Sequence, residues 1–225
     1  MGAISLEKIN GLYWMGRYTE RVFTTLQVFS KIYDQLIDQD EFAYDDFCRR
    51  LAIPNIYASK EDFITRYLFD ETNPDSLLSN MYRAYDNAII HREDISSEVL
   101  AYIHMALDVL KSSKDSKTPL WSLQPVTDDL FAFWGSVEDY VEEDVRDLMK
   151  AGKMVERLDL YLRLDMSFPL VEREFCRLKA RVAKLHVEYN KAALEQLSEI
   201  IGKREAWKEQ YQEALYALGS ILEML

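Results

Sequence analysis

Seven glycines and five prolines are all the backbone punctuation in a chain of 225 residues. Glycine therefore makes up about 3% of the chain, against a usual ~7%. A β-rich chain of this length reverses direction every few residues and needs many more of both. Long stretches without either residue suit helices, and the apolar pattern agrees. From Leu6 to about Asp40 there is no proline, and Ser5 is a good N-cap. Leu12, Met15, Val22, Leu26, Phe29, Tyr33 and Leu36 recur at spacings of three and four, which places them in one stripe of a long helix.

The same reading carries down the chain. A short helix from Asp45 to Leu51 stops before Pro54. Ser59 caps a segment holding Phe63, Ile64, Tyr67 and Leu68, and the stretch from Asp70 to Asp75 is a turn. Helices are expected over about 75–91 and 94–111, followed by an exposed Ser/Lys/Asp-rich loop from Lys111 to Lys117. Pro119 and Pro125 keep the next connection irregular. Thr127, with Asp128 and Asp129 behind it, reads as a helix start, and helical pattern continues to about Asp165 with a bend near Gly135. After Ser167-Phe168-Pro169 one long helix is expected over about 169–200 and a last one over 203–223. The expected fold is all-α: one domain over residues 1–225, a bundle of six or more mostly antiparallel helices.

Charge and composition exclude several functions. With 48% apolar and 29% charged residues the chain is globular, and a net charge of −12 argues against binding duplex nucleic acid. Cys48 and Cys176 form neither a CxxC pair nor a disulfide framework, which suits a reducing compartment. No apolar run reaches the ~18 residues of a membrane span. The segment from Met1 to Leu6 lacks the basic and apolar regions of a secretory signal, and Leu6 breaks the myristoylation pattern. A cytoplasmic location is expected.

Metal and cofactor motifs are missing. A ferritin-like site needs Glu-x-x-His, but Ala88, Ala101 and Ala183 stand three before His91, His104 and His186. The acidic run from Glu138 to Asp144 has no calcium-loop spacing and reads as a solvated helix face. There is no Gly-x-Ser-x-Gly, P-loop or dinucleotide fingerprint. No metal and no cofactor is expected.

One internal repeat stands out. Met15-Gly16-Arg17-Tyr18-Thr19-Glu20-Arg21 is matched by Ala151-Gly152-Lys153-Met154-Val155-Glu156-Arg157. A glycine, a base and two variable residues precede Glu-Arg in both, which suggests an internal two-fold pseudo-repeat or two helices that meet. A glycine inside a helix costs ~1 kcal/mol against alanine, and close approach of a neighbour is the usual reason for one. At ~100° per residue, Arg17 and Glu20 lie roughly 140–160° from the centre of the Leu12/Val22/Leu26 stripe. They share that face with Leu6, Ile9, Tyr13 and Gly16, so the polar spot is partly buried. In the second copy Lys153, Glu156 and Arg157 likewise point away from the stripe of Leu148, Ala151, Val155, Leu158 and Leu162.

Two readings of these charges stand side by side. One is a structural ion-pair network, Glu20 with Arg157 and Glu156 with Arg21, because buried charges need partners. The other is an arginine-rich pocket for a small anionic ligand, a carboxylate or a phosphate. In that pocket Arg17, Arg21, Lys153 and Arg157 would bind the ligand. Arg83 and Asn87, four apart on one helix face that His91 continues, either cover a neighbouring helix or belong to the same pocket.

The residues from Asn10 to Arg21 closely resemble the opening motif of the bacterial Alpha-E family. Further stretches are similar to it: Phe69-Asp70 with Asn73-Pro74-Asp75-Ser76-Leu77, Arg83-Ala84 with Asp86-Asn87-Ala88, Arg92 with Ile95-Ser96-Ser97-Glu98, and the Gly152 to Arg157 copy. Ile89 and Lys153 stand where the family pattern has arginine. The resemblance implies an all-helical protein whose genes lie beside ATP-grasp-type ligases and transglutaminase-like proteins. It thereby implies a pathway that makes or breaks amide bonds.

Two functions follow. The first is a non-catalytic partner or ligand-binding module that works with an amide-forming ligase. The second is an enzyme acting on a carboxylate-bearing peptide or amide, with Glu20 or Glu156 as general base and arginines as anchors. Nearby arginines lower a carboxylate's pKa, which works against the second. Arg173, Arg177, Lys179, Arg181 and Lys184 make the tail helix basic: a solvated face or a docking face for an acidic partner. The 14 tyrosines and 10 phenylalanines leave apolar cover to spare for a homodimer.

Overall fold

In the computed structural model, residues 5–38, 43–116 and 119–222 are described, and every regular element among them is helical. The expected turn residue Lys117 and the segment Met1 to Ile4 lie outside the described residues, as do the side chains of Tyr33 and Leu36. The helices are α1 (Leu6–Asp38), α2 (Ala43–Leu51), α3 (Lys60–Phe69), α4 (Leu77–Ile90), α5 (Ser97–Ser112), α6 (Pro119–Ser122), α7 (Gln124–Tyr140), α8 (Glu143–Arg163), α9 (Phe168–Val182), α10 (Lys191–Gly202) and α11 (Tyr211–Ser220). The all-α class is therefore what the chain adopts. No described helix is long and apolar enough to cross a membrane.

The starts obey capping chemistry. The side-chain oxygens of Ser59, Ser76, Ser96 and Asn190 accept from the amides of Asp62, Ser79, Val99 and Ala193, and so satisfy donors that a helix start leaves open.

The structure departs from the sequence expectation in several places, one of them the helix expected over 203–223, which opens as a 3-10 helix over Arg204–Gln210 before α11. The helix expected from Thr127 starts earlier, at Gln124, with Pro125 in its first turn, where a missing N–H costs nothing. α7 runs through Gly135 without a break. The break falls at Val141, which is extended and 4% exposed, and Glu143 and Asp144 then sit in the first turn of α8. Part of the acidic run thus complements a helix N-terminus. The single helix expected over 169–200 is two. α9 winds down through tight turns at Ala183, Lys184 and Leu185, and Asn190 begins α10. Asn190 also donates its own backbone N–H to the Ile221 carbonyl at 2.9 Å.

The chain forms two compact units. One holds residues up to Arg17 together with residues from Glu143 onward; the other runs from Tyr18 to Glu142. The second unit is built on an aromatic cluster. Phe63 stacks on Tyr67 at 5.2 Å and on Tyr44 at 5.5 Å, with Phe29, Phe47 and Tyr57 around them. Such pairs add about 0.5–1.5 kcal/mol each beyond the area they bury. In the first unit the stripe of α8 (Ala151, Val155, Leu158, Leu162) packs with Val171, Phe175 and Leu178 of α9, with Leu197 and Ile201 of α10 and with Ala214 and Leu218 of α11.

The N-terminal part of α1 meets α8 backbone to backbone in this same unit. A Cβ placed on Gly16 would collide with the Met149 carbonyl oxygen and lie 3.2 Å from the Lys153 nitrogen. A Cβ on Gly152 would collide with the Tyr13 carbonyl oxygen and lie 3.2 Å from the Arg17 nitrogen. The contact is reciprocal: each glycine faces the carbonyl three residues before the other glycine and the amide one residue after it. The obstacles are main-chain atoms that no rotamer change can move. Gly16→Ala and Gly152→Ala should each destabilise by about 1–3 kcal/mol, the usual cost of overpacking. Gly135, inside α7, has open space around its would-be Cβ. Gly135→Ala should stabilise by about 0.5–1 kcal/mol through helix propensity alone. Urea unfolding of the three variants checks the opposite signs.

Candidate functional site

The glycine crossing brings the first base of one copy onto the acid of the other. Arg17 follows Gly16, and its Nε donates to Glu156 Oε2 at 2.8 Å. The Glu156 side chain is fully buried and that of Arg17 is 16% exposed. Glycine is what allows this reach, since a side chain at residue 16 would hold the two backbones apart.

Aromatic residues finish the lining of Arg17. Its guanidinium lies 4.6 Å from the ring of Trp14 and 5.8 Å from that of Tyr13, both one turn or less away on α1. A cation held over aromatic faces in a desolvated place gains more than at a surface. Burial opposes the charge on Arg17, but Glu156, and after it Tyr13 and Asp159, raise its pKa above the ordinary value. Tyr13 is buried at 4% exposure; desolvation raises its pKa and Arg17 pulls the other way.

Asp159, one turn after Glu156 on α8, completes the cluster. It accepts from Arg163 Nε at 2.7 Å. Burial, and then the Glu156 carboxylate, push its carboxyl above the ordinary 3.8, against the pull of Arg163 and Arg17. Two carboxylates and two guanidiniums thus share one buried patch.

The other sequence-marked residues lie as follows. Arg157 Nη1 approaches Glu174 Oε2 of α9 at 3.7 Å. Lys153 sits half-buried, with its backbone nitrogen against Gly16. In the Tyr18–Glu142 unit, Glu20 is fully buried and accepts from Thr24 Oγ1 at 2.6 Å. Burial raises the pKa of Tyr67, and Arg21 lies close enough to pull against that rise. Arg83 donates from Nη1 to the Pro74 carbonyl at 3.1 Å and lies 5.7 Å from the ring of Tyr18. Asn87 is half-buried one turn further along α4, and its carbonyl accepts the His91 N–H at 3.0 Å. The structure thus brings Arg17 and Glu156 together. It also brings Arg157 to an acid of α9.

Asp159, Arg163 and Glu174 were not singled out from the sequence. The signal was present for the first two. Asp159 stands three after Glu156 and Arg163 four after Asp159, which is ion-pair spacing on one helix face. Among the described residues, no three of His, Cys, Asp and Glu are grouped to hold a metal.

Breaking the central pair from one side strands the other charge. Glu156→Ala should cost about 3–5 kcal/mol, while Arg17→Met with Glu156→Leu should recover most of that loss. Chemical denaturation of the three proteins checks both. Asp159 carries a pH signature. Its pKa is higher folded than unfolded, so above 3.8 the folded state binds more protons. Its contribution is most favourable at low pH and is lost as pH rises through the raised value. Asp159→Asn should flatten the fall of unfolding free energy over that window, as measured at several pH values.

A family model described as a predicted alpha-helical domain with a conserved ER motif, Alpha-E, matches residues 8–225. No curated protein and no solved structure matches the chain. Glu-Arg occurs here at Glu20-Arg21, Glu156-Arg157 and Glu172-Arg173. The first two lie in the glycine-led copies, whose glycines form the backbone crossing. With the match running over nearly the whole length, the chain belongs to the Alpha-E family.

Proposed function

We propose that the chain is a partner or ligand-binding module in a cytoplasmic pathway that forms amide or peptide bonds with an ATP-grasp-type ligase. The observation that carries this reading is the state of Glu156. A general base must meet its substrate and give up its charge to a proton. Glu156 is fully buried, and its oxygen is held by Arg17 at 2.8 Å. A guanidinium at that distance favours the charged carboxylate and so weakens it as a base. The arrangement suits a residue that clamps two helices.

The remaining polar candidates suit recognition better than catalysis. Arg83 and Asn87 are half-buried on one face of α4, and Arg83 is steadied by the Pro74 carbonyl and the Tyr18 ring. A preorganised guanidinium with donors to spare fits a carboxylate or a phosphate.

The experiment is co-expression with an ATP-grasp-type ligase of the kind that the family resemblance implies. The expected outcome is a complex that survives size exclusion and a ligase whose kcat/KM rises when the chain is present. Arg83→Ala should reduce that rise several-fold without lowering the melting temperature. A chain that turns over an amide substrate alone, and loses that activity in Glu156→Gln, would reverse the assignment in favour of an enzyme.

A further inference from the structure

Among the described residues, the outer edge of α9 carries more basic than acidic side chains. Its core side is Val171, Phe175, Leu178 and Val182, all buried. On the other side Arg173, Arg177 and Arg181 recur every four residues, within an arc of about 80°. Lys184 follows in the turn that ends the helix.

The acids that meet this edge are few and face inward. Glu174, whose side chain is 1% exposed, accepts from Arg177 at 2.8 Å and Arg173 at 3.2 Å, with Arg157 of α8 at 3.7 Å. One carboxylate therefore takes hydrogen bonds from both Arg173 and Arg177. Asp147 of α8, also buried, pairs with Arg181. The side chains of Arg173 and Arg177 are each 52% exposed. A guanidinium carries five N–H donors, and among the described residues each of these two spends one on Glu174.

A neighbour senses the excess. Lys150 of α8 has its pKa lowered by burial and then by Arg181 and Lys184. The local field is positive in a protein whose net charge is −12. Like charges four apart on a helix repel each other. An anion from outside would relieve that repulsion.

We propose that the edge formed by Arg173, Arg177, Arg181 and Lys184 docks an acidic segment of a partner protein. Guanidiniums four residues apart stand about 6 Å from one another along the axis, and the row from residue 173 to 184 spans about 16 Å. A single phosphate reaches one or two of them. Carboxylates placed every fourth residue on a partner helix repeat the same ~6 Å along the row, and the exposed Arg173 and Arg177 offer the fork that fits them. This names the surface that the partner reading requires, and so rests on it. Its test uses a peptide, so the ligase experiment can fail while this one succeeds, and the reverse.

The experiment is fluorescence anisotropy with the full chain and two helical peptides of one composition. One carries a glutamate at every fourth position; the other spreads its glutamates around the helix. The expected result is binding of the first peptide that weakens as salt is raised and is not displaced by equimolar pyrophosphate. Arg173→Gln with Arg177→Gln should weaken it about tenfold or more, as loss of matched charges does. Should that double variant fail to fold, the exposed Lys184→Glu carries the test with the same expected direction. Equal binding of both peptides, displacement by pyrophosphate, unchanged affinity in Lys184→Glu or no binding at all would each overturn the proposal.

Discussion

Two main chains in direct contact, at Gly16 and Gly152, are the constraint on which the rest of the first unit depends. Helices normally keep 8–10 Å between their axes because side chains stand between them. Here each glycine gives that space up to the other helix's carbonyl and amide. The approach lets Arg17 reach Glu156, and it sets Tyr13 into the core shared by α8, α9, α10 and α11. Each glycine forgoes about 1 kcal/mol of helix propensity, and the closeness it gains must exceed that.

Charge then follows geometry. Once the backbones touch, the base after one glycine and the acid four after the other are forced into the same desolvated place. Desolvation makes an isolated charge untenable, so Arg17, Glu156, Asp159 and Arg163 occur as a set. Asp159 bears the residual strain of that set, and its raised pKa is the sign of it. On α9 the same logic is left incomplete. Glu174 and Asp147 satisfy the inner ends of the arginines while Arg173 and Arg177 still face water.

How much of this was legible beforehand depends on what each feature rests on. Helical class followed from scarce punctuation and three-four periodicity, because both act locally. The serine caps at 59, 76 and 96 are local too; Ser59 was read in advance, while Ser76 and Ser96 were available to the same rule. Boundaries set by tertiary burial were not. Val141 ends α7 in an extended conformation with its side chain buried, and no window of sequence reveals that burial. Asn190 was a readable cap that a continuous apolar pattern masked. For the site, the paired glycines announced a close approach. Register across two helices is tertiary information, and the Arg17–Glu156 pair was not read in advance.

The first unit is discontinuous in sequence: its parts lie up to Arg17 and from Glu143 onward, with the whole second unit between them. During synthesis the opening turns of α1 emerge long before the helix that receives Gly16. The Tyr18–Glu142 segment can gather its aromatic cluster as soon as it is made, whereas the crossing must wait for α8 and then close a loop of more than a hundred residues. Closing such a loop is an entropic toll that grows slowly with length but falls before any contact rewards it. The order of assembly is thereby written into the topology. The inserted unit can form first, and the buried Arg17–Glu156 pair is a late event, made only once α8 exists.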